Sequence, residues 1–304
     1  MIVDCHTHIW EGPEQLGRWA PGTVDRAAGR RGWPEADTHH HFVAAEPVDK
    51  SIVLAFRSYY LGAHIPNDYV ARYVRQHPDR LIGFAGVDPS NPVEAVRETL
   101  RARQELGMRG LTVSPAAQDF HPASTAAMKL YAEADRLRMP VVFDQDILTT
   151  PAAKMEFARP YLLDEVAREF PDLRIVVAQL GHPWVEETVL LLAKHPNVYA
   201  DIGGLLHNNW QAYNALLAAY QADVMDKLLF ASNFPFTSAA ACIESLYSIN
   251  HFCHGTNLPT IPREQLRRIV ERNALDLLGI VAESSSVSHA RPAEEPSGVA
   301  HPAQ

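Results

Sequence analysis

Apolar residues recur along the chain in short β-branched runs, at residues 1–3, 51–56, 81–87, 111–113, 141–143, 175–178, 198–200 and 228–231. Between most of these runs lie longer stretches whose apolar positions repeat with helical period, so the pattern predicts eight β units alternating with helices. Eight such units imply a closed (β/α)8 TIM barrel, an α/β fold whose reactive residues come from the ends of strands and the loops that follow. The helix predicted between Pro160 and Pro171 shows the period well: Leu162, Leu163, Val166 and Phe170 share a side, while Asp164, Glu165, Arg168 and Glu169 face away. Proline punctuates both of its ends. The stretch 263–278 is amphipathic in the same way, with Leu266, Ile269, Val270, Ala274 and Leu277 on its apolar side, and is expected to close the fold.

Two segments depart from the alternation. Residues 10–50 are rich in Gly, Pro, Arg and His with weak periodicity, and so form a long insertion after the first strand, placed to cap a pocket. Residues 283–304 turn to Ser, Pro, Ala, Glu and His with almost nothing to bury, which predicts a disordered tail. The expected organisation is one barrel domain over residues 1–282 followed by that tail.

Composition narrows the partners. A formal charge of −9 without a sustained Lys/Arg run argues against nucleic acid and anionic membranes. No apolar run reaches the ~18 residues of a membrane span, and MIVDCHTHIW has neither the basic nor the apolar region of a secretion signal. The three cysteines, Cys5, Cys242 and Cys253, are odd in number and lack CxxC spacing, which argues against a disulfide framework or a thiolate zinc site. A cytoplasmic protein with a small-molecule substrate is the expectation.

The first strand carries the strongest chemical signal, Asp4-Cys5-His6-Thr7-His8. In an extended chain the imidazoles at i and i+2 share one side and can converge on one metal or one substrate. The plain alternative is a polar pair at a strand end, but two imidazoles beside an acid are costly to bury without a role. Cys5 between them is expected to face the other way, as packing. His39-His40-His41 resembles a metal tract by composition, yet three adjacent side chains cannot all face one centre, so it reads as lid or surface polarity. Trp10, Trp19 and Trp33 are candidates for an apolar wall over the pocket, or for packing of the insertion. Arg57 and Arg109 are candidates for a bidentate grip on a substrate carboxylate, although most single arginines are solvated or ion-paired. His182, which follows Gly181 at the rim, is either a titratable group of the site or a loop residue.

The segments MIVDCHTHIW, GMRGLTVSP, RPYLLDEVAREFPDLRIVVAQLGHPW, KHPNVYADIGG, KLLFASNFPF and IPREQLRRIVERNALDLLGI extend the signal over about residues 1–280. On these the chain resembles the amidohydrolase-related family, the branch of the amidohydrolase superfamily that includes small decarboxylases, hydratases and lactonases. The resemblance implies a divalent metal held by the strand-one His pair, a strand-five His and a strand-eight Asp, with a strand-six His near the reacting water or substrate. Here only the His pair stands. Asp144 occupies the strand-five position in MPVVFDQD, Gln179 the strand-six position in VVAQLGHPW, and Asn233 the strand-eight position in FASNFPF. Thr112 stands in RGLTVSP where many relatives carry Lys.

Gln179 cannot titrate near neutral pH, and Asn233 is neutral where a carboxylate would balance metal charge. His6, His8 and Asp144 nevertheless make a plausible three-ligand set for Zn²⁺, Mn²⁺ or Fe²⁺. Without a metal, Asp144 would pair with either imidazole as an acid/base couple, and the resembled family includes metal-independent lactonases. Both states are left open. The expected function is an enzyme acting on a small polar or carboxylated molecule by hydrolysis, decarboxylation or a related lyase step. His6, His8, Asp144 and His182 are its candidate catalytic residues, and Gln179, Asn233, Arg109, Thr112 and Trp10 its candidate substrate contacts. The alternative is a catalytically silent barrel that binds a small ligand or a protein partner, since a fold persists after its chemistry goes. The resemblance further suggests a homodimer.

Overall fold

The β-branched runs become strands in the computed structural model, which describes residues 1–18, 34–144 and 150–280. In chain order these are β1 (Val3–His8), β2 (Lys50–Leu54), β3 (Phe56–Ser58), β4 (Ala63–Ile65), β5 (Leu81–Gly86), β6 (Gly110–Val113), β7 (Val141–Phe143), β8 (Ile175–Val177), β9 (Val198–Asp201) and β10 (Leu228–Leu229). Eight of them pair in parallel in the order β1-β2-β5-β6-β7-β8-β9-β10. The sheet closes on itself after β10: Cys5 N–H donates to Phe230 O and His8 N–H to Phe234 O, both at 2.9 Å. Thr7 and Phe234 form a parallel bridge across the same seam. The predicted TIM barrel is therefore the observed fold.

Alternation along the strands sorts their side chains into two layers. Val53, Ala85, Leu111, Val113, Val141, Phe143, Ile175, Val177, Val198 and Ala200 face outward and pack in the large core under the helices. Val3, Cys5, Ile52, Leu54, Phe84, Val142, Val176 and Leu229 fill the lumen, plugged by Ala274, Leu275, Leu278 and Ile280 at the end where the strands begin. Two residues further along the inner faces of β6, β7 and β9 come Thr112, Asp144 and Asp201, all buried. The lumen thus passes from an apolar plug to a polar layer at the ends of the strands.

Strand β1 departs from simple alternation. Asp4 pairs with Ser51 but Thr7 with Val53, so Cys5 and His6 stand together opposite Ile52 as a bulge. The slip turns Thr7 outward beside Val53 and leaves His8 inward beside Leu54. This corrects the expectation that Cys5 faces away from His6, because the bulge puts both on the inner side. Cys5 is nonetheless packing: among the described residues its buried thiol reaches only Val3 O, at 3.7 Å, and burial raises its pKa well above the ordinary thiol value.

Other boundaries moved. The second run ends at Leu54, and Phe56 instead begins the antiparallel β3/β4 hairpin, pairing with Ile65. A Cβ at Gly86 would lie 2.5 Å from Phe56 Cα, so only glycine lets the hairpin cross the end of β5. The helix expected between the two prolines is Leu163–Glu169, preceded by the 3-10 turn Pro160–Leu162. The stretch 263–278 divides into Arg263–Glu271 and Ala274–Leu277, the second capped by Asn273 on Leu275 N–H. That break buries Leu275 in the core, with Leu277 packed partly buried against it. Of the insertion, Pro13–Leu16 and Thr38–Ala44 are helical turns. Trp19, Trp33 and the tail 283–304 lie outside the described residues. Among the described residues no helix is long and apolar enough to cross a membrane.

Candidate metal centre

His6 and His8 meet where the bulge aims them. Their Nε2 atoms are 3.0 Å apart, with ring centroids at 4.9 Å and planes at 70°. Asp144, the first residue past β7, brings Oδ2 to 3.9 Å from His8 Nε2. One ligand atom from each of the three lies within 4.8 Å of the others, and all three residues are buried. The structure thus assembles the triad that the sequence singled out.

A fourth residue fixes how the triad can act. Asp201, at the end of β9, has no exposed surface, and its Oδ2 lies 3.0 Å from His6 Nδ1. Its Oδ1 accepts from the backbone N–H of Gln179 and of Gly203, each at 2.9 Å. Such a carboxylate holds the proton of His6 on Nδ1, so Nε2 presents a lone pair toward His8. Two ring nitrogens that share one ion, each about 2.1 Å from it, lie about 3.0 to 3.4 Å apart for angles between a right angle and the tetrahedral value. The observed separation and the Asp201–His6 pair therefore fit a metal-binding pair, with Asp144 adding the negative charge that a divalent ion requires. His8 suits the same role, because burial pushes its pKa well below the ordinary imidazole value, with neighbouring His6 acting in the same direction. The carbonyl of Leu54 opposes that shift. His8 is thus held neutral, the form that ligates.

Asp201 was absent from the residues singled out in the sequence. The signal available was its place: KHPNVYADIGG puts an acid at the end of a predicted strand, where barrels keep their chemistry.

The two neutral replacements sit beside Asp201. Past β8 the chain turns through two left-handed residues, Gln179 (φ 55) and Leu180 (φ 49), a costly conformation that the Gln179 N–H to Asp201 bond supports. Asn233 (φ 58) is placed by its N–H donating to His6 O at 3.0 Å. Both side chains gather over Gly204: a Cβ there would lie 3.2 Å from Asn233 Nδ2 and from Gln179 Cδ. Two amides therefore stand next to the His6–Asp201 pair, able to donate and accept hydrogen bonds but not to take a proton.

The remaining candidates divide. Thr112 belongs to the polar layer, and its buried hydroxyl has no hydrogen-bond partner among the described residues. Trp10 is buried, with its ring 6.3 Å from that of Phe236 just beyond Asn233. His182 is half-buried in the loop after Gln179, where burial lowers its pKa. Among the described residues no hydrogen bond or ion pair joins its ring to His6, His8 or Asp144. Arg109 is not brought to the cluster: it precedes β6, with its N–H on Gly83 O, at the end of the barrel where strands begin. Arg57 lies in the β3/β4 hairpin over the ring of Tyr59 at 4.4 Å, lining a separate 260 Å³ pocket with His64 and Asp88.

The reading of His39-His40-His41 as lid or surface polarity holds for the first two and is corrected for the third. In the helix Thr38–Ala44 the period leaves His39 and His40 exposed and turns His41 into the core at 1% exposure.

The amidohydrolase family model matches residues 3–280. No curated protein sequence matches the chain. Among solved structures, an uncharacterised TIM-barrel protein from Bordetella bronchiseptica is 21% identical, with a TM-score of 0.72, covering 92% of this chain and 98% of its own. A probable 2-pyrone-4,6-dicarboxylic acid hydrolase from Acinetobacter baumannii, with citric acid bound, is 16% identical at a TM-score of 0.63, covering 91% of this chain and 99% of its own. A dihydroxybenzoic acid decarboxylase from a Polaromonas species, with manganese and 2-nitroresorcinol bound, is 17% identical at a TM-score of 0.63, covering 92% of this chain and 97% of its own. At these identities the likeness is one of fold.

Proposed function

The chain belongs to the amidohydrolase family, and on that premise we propose that it is a divalent-metal-dependent decarboxylase of a small carboxylated organic molecule. The observation that carries the proposal is the His6 Nε2 to His8 Nε2 separation of 3.0 Å beside Asp144, with His6 Nδ1 held by Asp201. His6, His8 and Asp144 would hold the ion, leaving positions open toward the barrel mouth. When bound, the metal supplies positive charge that polarises a substrate oxygen and stabilises the negative charge left as CO₂ departs.

The chain's own residues supply the rest. Asp201 keeps His6 in the ligating tautomer, and burial keeps His8 neutral. Gln179 and Asn233 orient substrate oxygens by hydrogen bonds, and the unpartnered Thr112 hydroxyl donates a further one. Trp10 and Phe236 lie together past the strand ends and would give an apolar boundary. Hydrolysis needs a proton taken from water before attack, which neither amide can accept, whereas loss of CO₂ needs a proton delivered to the carbon that keeps the bonding pair, which water at the open barrel mouth can supply. The lyase reading follows from that difference, and the manganese-bound decarboxylase of the same fold supports it.

The test is a panel of small aromatic and aliphatic carboxylates and lactones offered to Mn²⁺- or Zn²⁺-loaded protein, with CO₂ release and lactone opening followed separately. Release of CO₂ from at least one carboxylate, lost in His6→Ala and Asp144→Ala, is expected. Lactone opening without any CO₂ release would move the assignment to hydrolysis.

A further inference from the structure

Thr7 is the residue between the two histidines, and it points away from them into a buried chain of hydrogen bonds. Its hydroxyl donates to Ile52 O at 2.8 Å, across the pairing of β1 with β2. That donation leaves the oxygen to accept, and His41 Nε2 lies 2.9 Å from it. On the far side, His41 Nδ1 lies 2.9 Å from the hydroxyl of Tyr73, in the helix Asn67–Gln76. The directions follow in turn: Nε2–H donates to Thr7, so neutral His41 accepts on Nδ1 from the Tyr73 O–H. The His41 ring also meets Phe234 edge-on at 5.2 Å, and Phe234 O receives His8 N–H. One imidazole from the insertion therefore touches both sides of the barrel seam from which His6, His8 and Asn233 project.

We infer that His41 is a positioning residue for the histidine pair, locking the outward face of the β1 bulge through Thr7 so that His6 and His8 keep their convergent aim. This rests on the reading of His6, His8 and Asp144 as a metal centre. The bulge needs such a lock because a strand that slips by one residue presents its opposite face. Here the slip would turn Thr7 into the lumen and the imidazoles out of it. His41 itself touches no substrate and no ligand atom. The known cost of losing a group that orients a metal ligand, about 10–100-fold in affinity, sets the scale.

The experiment compares wild type, His41→Leu and His41→Gln by competition titration of Zn²⁺ and Mn²⁺, together with ¹⁵N-histidine spectra of the metal-free proteins. His41→Leu is expected to bind either metal at least tenfold more weakly and to displace or broaden the His6 and His8 ring signals. His41→Gln, whose amide can still donate to Thr7, should stay within about threefold of wild type. Folded His41→Leu with wild-type affinity and unchanged ring signals overturns the inference, since a purely structural residue would lower thermal stability alone. If His41→Leu does not fold, Tyr73→Phe takes its place: freed from its fixed tautomer, His41 should loosen the site measurably, and an unchanged site overturns the inference. If wild type binds neither metal, the metal reading fails, and the ring signals alone decide whether His41 sets the pair.

Discussion

Replacing Asp201 by Asn should cost metal affinity while leaving the fold in place. The carboxyl faces three donors: the backbone N–H of Gln179 and of Gly203 on Oδ1, and the His6 ring on Oδ2. An Asn side chain has one oxygen, and two backbone donors outvote one imidazole, so the oxygen stays on the amides and the NH₂ turns to His6. His6 must then accept on Nδ1 and carry its proton on Nε2, the atom that faces His8 at 3.0 Å. Binding a metal would require breaking the new hydrogen bond and leaving two buried donors face to face, a cost of about 1–3 kcal/mol, or roughly 5–150-fold in affinity. Competition of the metal-loaded protein against a chelating indicator reads the change directly. The thermal midpoint of the metal-free protein serves as the control for folding. Affinity within twofold of wild type in a folded Asp201→Asn protein would refute the tautomer argument and the placing of Asp201 behind His6.

Two further outcomes test the packing. Burial lowers His41 from 6.5 to about 4, so below pH 6.5 the unfolded chain takes up a proton that the fold refuses, and stability falls as pH drops toward 4. Between pH 7 and 5 the loss is about 2 kcal/mol. Asp4, raised by burial to about 6, works in the opposite direction over an overlapping window, so the measure is the difference between wild type and His41→Gln in urea unfolding. Wild type should lose about 2 kcal/mol more than the variant, and equal losses would contradict the buried neutral ring. Tyr131 is fully buried between Phe143 and Phe170, at 5.5 and 6.4 Å, with a hydroxyl that has no hydrogen-bond partner among the described residues. Tyr131→Phe should therefore leave stability unchanged or raise it by about 1 kcal/mol, and a clear drop in thermal midpoint would show that the hydroxyl is bonded.

The barrel was legible because its signal is redundant: eight apolar runs, most of them buried on both faces, repeat the same statement. The triad was legible for a different reason, since strand ends are where barrels hold their chemistry, and His6, His8 and Asp144 all stand there. What stayed hidden depends on long-range contacts. The bulge at Cys5 and His6 exists only in the pairing of β1 with β2, and no local pattern announces an extra residue. His41 reads as one of three adjacent polar residues until the helix places it beside Thr7, 34 positions earlier. Asp201 pairs with His6 across 195 positions, so its partner was invisible even though its place at a strand end was not. Arg109 shows the converse, for nearness to a strand in sequence did not say that its backbone stands where β6 begins, just before Gly110.

The account stands most directly on the metal content of the protein. Protein purified without chelator and loaded with Mn²⁺ or Zn²⁺ should retain about one equivalent per chain after desalting, measured by plasma mass spectrometry, as three buried ligands predict. His6→Ala and Asp144→Ala should retain almost none while remaining folded. A wild-type protein that keeps no metal, or variants that keep as much as wild type, would contradict the centre at His6, His8 and Asp144.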